Sequence, residues 1–518
     1  MSKNQAVCAD TDGRIPGFKG LTFFLLDYVQ NSPHVFICET NSGEKIMSEA
    51  KNLQKELLWD FPAAYKNKDN EAEAVNAFAE KYKVYLDNCK TEREFVNYAG
   101  SFLKDYGYVE FGSVAEELKK GTRKLKQGDK LFFVNRKKSL IMCTVGSRPI
   151  NDGLRITVSH VDSPRLDLKP FPVSEDSGIA YLKTHYYGGI RKYQWVTIPL
   201  ALHGVVVKPD GSSINVSVGE DPADPVLYIT DLLPHLGQEQ NERKLKDGIK
   251  GEELRAIAAT IPFIDDEEEE IKEGVKLNLL RLLNEKYGFT EKDFLTAELS
   301  LVPAYKSRDV GLDRSLVGSY GQDDRVCAFG AFMAELETEK PEFTTLTVFA
   351  DKEEIGSYGP TGMSSDFMLN FIEDLTELMG GNVNTVLRAS NALSTDVDAA
   401  YDPVFAGVYD KQNSCQLNRG CVITKYTGAR GKSGSNDASA ELMALVTGIF
   451  DRNNVSWQIG ELGAVDAGGG GTVALYIAKF DINVVDLGVP ILAMHSPFEL
   501  AAKYDIYSLY RAVLAFYK

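Results

Sequence analysis

The stretches LRITVSH, at residues 154–160, and FTTLTVFAD, at residues 343–351, decide the fold that this sequence predicts. In the first stretch, Leu154, Ile156 and Val158 alternate with polar residues, which is the two-residue period of a β-strand. The second stretch has the same β-branched and apolar character and ends in an aspartate. Both read as strands with a polar residue at the carboxyl end.

Outward from these two strands, the pattern alternates between strand and helix. DDRVCAFGAFMAELE (residues 323–337) and DASAELMALVTGIF (437–450) have the spacing of helices, whereas NTVLRAS (384–390) and VALYIA (473–478) favour strands. Strands that alternate with helices imply layers built around a parallel sheet. We therefore expect an α/β fold with a mixed, largely parallel sheet flanked by helices.

The composition changes twice along the chain and suggests its domain organisation. Residues 1–90 are charged and helix-leaning, which predicts an N-terminal helical extension. Residues 165–308 combine alternating, strand-like segments with a polar, acidic stretch, and we interpret them as an inserted, β-rich domain. The insertion would divide one domain into residues 91–164 and 309–518. The alternative is a single large domain.

The overall charge restricts the partners. The chain has 57 Lys+Arg against 74 Asp+Glu, a formal net charge of −17. We therefore expect neither a nucleic acid nor a membrane as partner, because such surfaces are bound by basic patches.

Seven cysteines without a C-x-x-C spacing argue against a disulfide framework and a thiolate zinc site. The N-terminus has no pattern of a secretory signal, and we expect a cytoplasmic location.

Histidines and carboxylates follow several of the expected strands. Ligands of open α/β sheets bind beyond the carboxyl ends of the strands, so these residues could meet at one edge of the sheet. The candidates are His160 and Asp162, the pair Asp323–Asp324, Asp351 with Glu353 and Glu354, Asp396 with Asp398, and His495.

Two histidines with three or four carboxylates form the ligand set of a two-metal hydrolytic site. Nitrogen and oxygen donors without thiolate suit zinc, with manganese or cobalt as possible substitutes. Two such ions polarise a carbonyl group and lower the pKa of water. Of the neighbours Glu353 and Glu354, one could bind metal while the other acts as a base. Carboxylates at strand ends are also common on surfaces without any metal.

Seven ordered blocks resemble the aspartyl aminopeptidase and vacuolar aminopeptidase I family of zinc metallopeptidases, and the bacterial aminopeptidase I branch is the most similar. The resemblance covers roughly residues 92–518 and implies a zinc exopeptidase-like fold. The blocks are SHVDSPRLDLKP (159–170), YYGG (186–189), LLPHL (232–236), RSLVGSYGQDDRVCAF (314–329), DKEEIGS (351–357), STDVDAA (394–400) and VPILAMHSPFE (489–499).

The resemblance also implies residue roles for two zinc ions per subunit. Asp323 would bridge the ions, and Glu353 would be the general base, with Asp162 in support of the site. The remaining metal ligands would be His160 and Asp396 for the first ion, and Glu354 and His495 for the second.

Assembly and substrate recognition follow from the same resemblance. Such enzymes use the inserted domain for dimerisation, present a histidine that matches His235 to a neighbouring subunit, and form dodecamers built from dimers. Lys425 aligns with a lysine that could meet an acidic substrate side chain. The segments around it differ from the aspartyl enzymes, so an acidic or a neutral first residue of the substrate stays open.

The sequence thus predicts a zinc-dependent aminopeptidase that removes N-terminal amino acids from peptides. Alternatives are a metal-dependent amidohydrolase or carboxypeptidase on the same scaffold, and a catalytically silent assembly protein. The glycine run Gly468–Gly471 would bring backbone N–H groups close to substrate or form a tight turn.

Overall fold

The computed structural model describes residues 49–59, 61–69, 71–265, 271–428 and 430–518. Most of the predicted N-terminal extension, residues 1–48, lies outside them. The chain divides into two compact units, Met1–Asp60 and Phe61–Lys518. Within the first unit, a single helix is described, α1 at Glu49–Leu57, whose side chains are all exposed.

All further elements belong to the second unit. Its helices are α2 Ala72–Asn88, α3 Glu92–Leu103, α4 Phe111–Lys119, α5 Gln238–Asn241, α6 Gly274–Tyr287, α7 Gln322–Glu337, α8 Phe367–Leu378, α9 Val383–Ala389, α10 Ala440–Arg452, α11 Ala474–Ala478 and α12 Lys503–Tyr517. Its strands are β1 Tyr108–Glu110, β2 Lys130–Asn135, β3 Ser139–Thr144, β4 Leu154–His160, β5 Arg165–Asp176, β6 Ile179–Tyr187, β7 Pro199–Val207, β8 Ser213–Val218, β9 Leu227–Tyr228, β10 Arg255–Ala259, β11 Ala297–Pro303, β12 Arg308–Val310, β13 Leu316–Ser319, β14 Thr344–Ala350, β15 Asn391–Thr395, β16 Asp398–Ala399, β17 Cys421–Thr424, β18 Trp457–Ile459, β19 Asn483–Gly488, β20 Pro490–Leu492 and β21 Glu499–Ala502.

A nine-stranded sheet carries the fold, in the order β1-β2-β3-β14-β4-β15-β19-β17-β18. Its centre, β14-β4-β15-β19, is entirely parallel, whereas β2-β3, β3-β14 and β19-β17 pair antiparallel. The expectation of a mixed, largely parallel sheet is therefore confirmed. Every residue of β14 is buried, as are all residues of β4 except Arg155, because separate apolar clusters that include the flanking helices pack on this sheet.

Helix α7 runs through the core. The apolar residues Val326, Phe329, Phe332 and Leu336, which give this segment its helical spacing, are buried, but so is every other residue from Gln322 to Leu336. A helix that is covered on all sides lies in the interior of the unit. Helix α2 also joins this core through Phe78 and other aromatic side chains, so the described residues from Phe61 onward form one body.

Two strand expectations were wrong. NTVLRAS lies mostly in α9, where Asn382 caps the helix by accepting the N–H of Thr385, and the strand begins only at Asn391. VALYIA forms the short helix α11, whose Ala474 and Ile477 are buried one turn apart. In both cases packing against the sheet outweighs the strand preference of the β-branched residues.

A second sheet is built from residues 165–303 and is antiparallel throughout. Its order is β11-β5-β6-β10-β9-β7-β8, and an additional pairing of β11 with β7 closes six of the strands into a barrel-like ring. The β-rich character expected for this stretch is confirmed. A third, five-stranded sheet, β12-β13-β21-β20-β16, holds the segments that precede α7 and α12.

No described helix combines the length with the apolar character that crossing a lipid bilayer requires.

Candidate active site

The candidate site lies at the carboxyl ends of the central parallel strands. His160 is the last residue of β4, Glu353 and Glu354 lie in the turn after β14, and Asp396 follows β15. Asp323 lies in the first turn of α7 and His495 in the loop between β20 and β21. Five separate segments thus meet at one place, as in other sheets of this kind.

Asp323 stands between the two histidines. Its Oδ1 lies 3.3 Å from Nε2 of His160, and its Oδ2 lies 2.9 Å from Nε2 of His495. Each histidine also faces a second carboxylate. Nε2 of His160 is 3.6 Å from Oδ1 of Asp396, and Nε2 of His495 is 3.5 Å from Oε1 of Glu354. The two halves of the site therefore share the Asp323 carboxylate.

Burial and charge shift the pKa values of the histidines in this site. Burial lowers the pKa of His160, but its hydrogen bonds with Asp162, Asp323 and Asp396 outweigh that effect and raise the value. Burial likewise opposes protonation of His495, but its hydrogen bond with Asp323 outweighs burial and raises its pKa to about 10. The surrounding carboxylates therefore favour the protonated, positively charged form of both histidines.

Asp162 holds the site from behind. Its Oδ1 accepts the backbone N–H of Glu353 at 3.1 Å, and its Oδ2 accepts that of Glu354 at 3.2 Å. The hydroxyl of Tyr187 donates to the same Oδ2 at 2.8 Å, and Nδ1 of His160 lies 3.3 Å from Oδ1. Burial would raise the pKa of Asp162, but these partners lower it. One carboxylate thus fixes a histidine and the turn that carries both glutamates.

Glu353 and Glu354 have raised pKa values. Burial raises the pKa of Glu353 to about 8, and nearby Asp396 adds to the effect. Burial and the charge of Asp323 raise the pKa of Glu354 well above its ordinary value, and its buried Oε1 has no hydrogen-bond partner. A carboxyl with a pKa near neutrality is suited to accept and release a proton.

Two further buried acids lie at the site: Glu499, which was not predicted from the sequence, and Asp324, which was a candidate without an assigned role. Glu499 accepts the backbone N–H of His495 at 2.7 Å and that of Asp323 at 3.2 Å, so it ties the loop of one histidine to the shared aspartate. Asp324 is fully buried, its Oδ1 has no hydrogen-bond partner, and burial raises its pKa. A signal for Glu499 was its place at the end of the block that carries His495.

A cavity of about 280 Å³ opens in front of these groups. Gly469–Gly471 form part of its wall, which favours the substrate-side interpretation of the glycine run. Its lining also includes Asp398, a candidate from the sequence without an assigned role, and Asp486, which was not predicted. The lining residues are Asp323, Glu353, Glu354, Asp396, Val397, Asp398, Thr424, Thr427, Leu462, Gly469, Gly470, Gly471, Thr472, Asp486, Met494 and His495.

Two sequence-predicted substrate residues lie away from this cavity. His235 is exposed in a loop between β9 and β10, beside the exposed Leu233 and Leu236. Lys425 forms an ion pair with Asp437 at 2.8 Å and is absent from the cavity lining. Within this chain, neither side chain meets the group around Asp323.

The donor set fits metal ions. His160 with Asp323 and Glu354, and His160 with Asp324 and Asp396, each place three possible ligand atoms within 4.8 Å of one another. Burial raises the pKa values of Glu354 and Asp396, and the charge of Asp323 adds to both shifts. A divalent ion would satisfy the free oxygen of Glu354, and nitrogen and oxygen donors without thiolate suit zinc.

Comparison with known proteins agrees with this chemistry. The sequence profile of a family described as aminopeptidase I zinc metalloprotease (M18) matches residues 85–517. A protein of Clostridium acetobutylicum named Probable M18 family aminopeptidase 1 is 46% identical over 469 residues, which are 90% of this chain and 99% of that protein.

Solved structures give the same result. An M18-family aminopeptidase of Thermotoga maritima has a TM-score of 0.83 and 41% identity, covering 89% of this chain and 100% of its own. The mApe1 dodecamer of S. cerevesiae has a TM-score of 0.68 at 20% identity, covering 86% and 97%, and that likeness shows the fold alone. Since the profile matches most of the chain and the relatives are covered almost end to end, the chain belongs to the aminopeptidase I (M18) family of zinc metalloproteases, which are aminopeptidases that hydrolyse peptide bonds.

Proposed function

We propose that this chain removes N-terminal amino acids from peptides with two zinc ions bound around Asp323. His160 and Asp396 would complete the shell of one ion, and His495 and Glu354 that of the other. The observation that carries the assignment is the shared carboxylate, whose two oxygens face two different histidines at 3.3 and 2.9 Å. Manganese or cobalt could replace zinc at such a site.

The chemistry divides between the ions and the chain. When bound, the two ions would polarise the scissile carbonyl and lower the pKa of the attacking water. Glu353, which lines the cavity, would accept a proton from that water and pass it to the leaving amine. Asp162 would hold Glu353 in position through the backbone N–H.

Assembly is the second part of the proposal. Residues 165–308 would form a dimerisation domain between the catalytic segments 91–164 and 309–518, and dimers would build a dodecamer. The exposed His235 lies among exposed leucines, which is the composition of a surface that another subunit covers. Light scattering of the purified chain tests this proposal, and a monomer at micromolar concentration would refute it.

Peptides with a free N-terminus are the proposed substrates, and the cytoplasm is the proposed location. Initial rates on aminoacyl anilides with zinc or cobalt, and with a chelator, test the activity. We expect chelator-sensitive cleavage of free anilides and none of their N-acetylated forms. Cleavage of acetylated substrates, or full activity in the metal-free chain, would refute an aminopeptidase that depends on these ions.

A further inference from the structure

The cavity has a second acidic wall beyond the proposed metal ligands. Asp486 projects from β19 with only 4% of its surface exposed. The hydroxyl of Thr472 donates to its Oδ1 at 2.7 Å. Ser394 lies opposite on β15 and its hydroxyl lowers the pKa of Asp486, but the buried Oδ2 has no hydrogen bond of good geometry. A buried carboxylate oxygen without a donor is unfavourable, so this position suits a ligand that brings one.

Asp398 lies on the same wall. The hydroxyl of Thr424 lies 3.0 and 3.2 Å from its two oxygens, so a single donor serves the whole carboxylate. Thr424 is also the residue that pairs with Asp486 across β17 and β19. The two acids therefore flank one threonine, and both line the cavity.

Neither acid is required to balance two metal ions. The ligands Asp323, Glu354 and Asp396, together with Glu353, would offset the charge of two divalent ions. Asp398 and Asp486 are two further acids, whose pKa values burial raises to about 8 and about 7. The described residues that line the cavity include neither lysine nor arginine to pair with them.

Lys425, whose positive charge could attract an acidic substrate side chain, forms an ion pair outside the cavity lining. Lys425, which family resemblance would direct toward an acidic substrate, pairs with Asp437, and so does Lys432. An acidic side chain at this wall would therefore face the carboxyl groups of Asp398 and Asp486 with no lysine or arginine beside it, which is unfavourable in a buried site.

We propose that this wall receives the side chain of the substrate's first residue and that Asp398 and Asp486 select lysine or arginine there. An ammonium group offers three donors and a guanidinium five, which meets the free oxygen of Asp486. Val397, Leu462 and Met494 line the same cavity and suit the methylene groups of such a side chain. The inference rests on the proposed function because it requires the peptide's first residue to enter this cavity.

Wild-type rates test the selection directly. Lysine and norleucine anilides differ only in the terminal ammonium, so we compare their kcat/KM values, with aspartate as the opposite case. A hydrogen-bonded charge pair in a buried site predicts a preference for lysine of about ten- to hundredfold. Equal rates for lysine and norleucine, or faster cleavage of aspartate, would overturn the subsite but not the aminopeptidase activity.

The variants Asp486→Asn and Asp398→Asn localise the effect. We expect each to lower the ratio of lysine to norleucine kcat/KM by at least about tenfold while zinc content stays at the wild-type level. Asp374→Asn removes the same charge from an exposed site on α8 and should leave the ratio unchanged. A uniform loss for both substrates would overturn the inference, because the acid would then bind the α-ammonium that they share.

A binding measurement separates this inference from the proposed function. Calorimetry of the zinc-loaded chain with lysinamide and norleucinamide reports the subsite without turnover, and tighter binding of lysinamide is expected. Equal affinities would overturn the subsite. Failure to cleave any anilide, together with a clear preference for lysinamide, would overturn the proposed function but support the subsite for basic side chains.

Discussion

Asp162→Asn tests how the site is held. In the wild type, the two oxygens of Asp162 accept three hydrogen bonds, from the backbone N–H groups of Glu353 and Glu354 and from Tyr187. Asparagine has the same shape but only one acceptor oxygen. Whichever way its amide turns, its NH₂ group must oppose at least one of these backbone donors.

The magnitude follows from that loss. A hydrogen bond to a charged acceptor contributes about 1.5–3 kcal/mol. If the turn with Glu353 loses one such bond, kcat should fall about 10- to 100-fold, since about 1.4 kcal/mol is a factor of ten. Tyr187→Phe removes a single bond and leaves both backbone contacts, so its effect should be smaller, at most about tenfold.

Steady-state kinetics on the best anilide, with zinc measured per chain, provide the assay. Thermal unfolding of each variant shows whether the fold is retained. Wild-type kcat in Asp162→Asn, or a larger loss in Tyr187→Phe than in Asp162→Asn, would refute the idea that this carboxylate positions the glutamates.

Three further predictions concern single residues. Glu353→Gln should lower kcat by about 10²–10⁴-fold while zinc content stays constant, and an active variant would exclude it as the base. Gly488→Ala would place a Cβ 2.0 Å from the carbonyl oxygen of Asp396 and should reduce bound zinc, whereas Gly407→Ala, with open space around it, should not; equal zinc in both variants would contradict this. The third concerns Glu220→Gln. Burial opposes the ionisation of Glu220, but its hydrogen bond with His203 and its other partners outweigh burial and lower its pKa from 4.5 to about 2. The Gln variant should therefore lose about 2 kcal/mol of unfolding free energy above pH 4.5, after allowance for partial screening. That difference should shrink as the pH falls toward 2 in denaturant titrations, and a constant difference would contradict the linkage.

The sequence predicted the site residues best where a histidine or a carboxylate lies at the end of a predicted strand. His160 ends a central strand, and Glu353 and Asp396 lie just beyond the ends of two others, so the parallel sheet brings them together without further information. Asp323 and His495 were candidates as well, but their roles came only from the resemblance, because one opens a helix and the other lies in a loop between short strands.

Long-range packing was harder to predict. Nothing local marks Glu499 as the acceptor for two distant backbone N–H groups, since its partners become neighbours only through tertiary structure. The acid Asp486 reads as one more polar residue in a strand until β17 and β15 pair on either side of it. The helix at Val383–Ala389 likewise depends on its cap and its packing more than on intrinsic preference.

The first and the last strand of the barrel-like sheet lie next to each other, so residues 165–303 could vary in evolution without disturbing the rest of the unit. Its first and last strands, β5 and β11, pair antiparallel, with Leu166 opposite Leu301. The two points where the chain leaves and rejoins the rest of the unit are therefore neighbours. A longer or shorter segment between them therefore leaves the positions of these two points unchanged. The entropic cost of closing a flexible loop rises by only about 0.6 kcal/mol for each doubling of its length. Evolution could thus exchange this module while the strands that carry His160 and Glu353 keep their register.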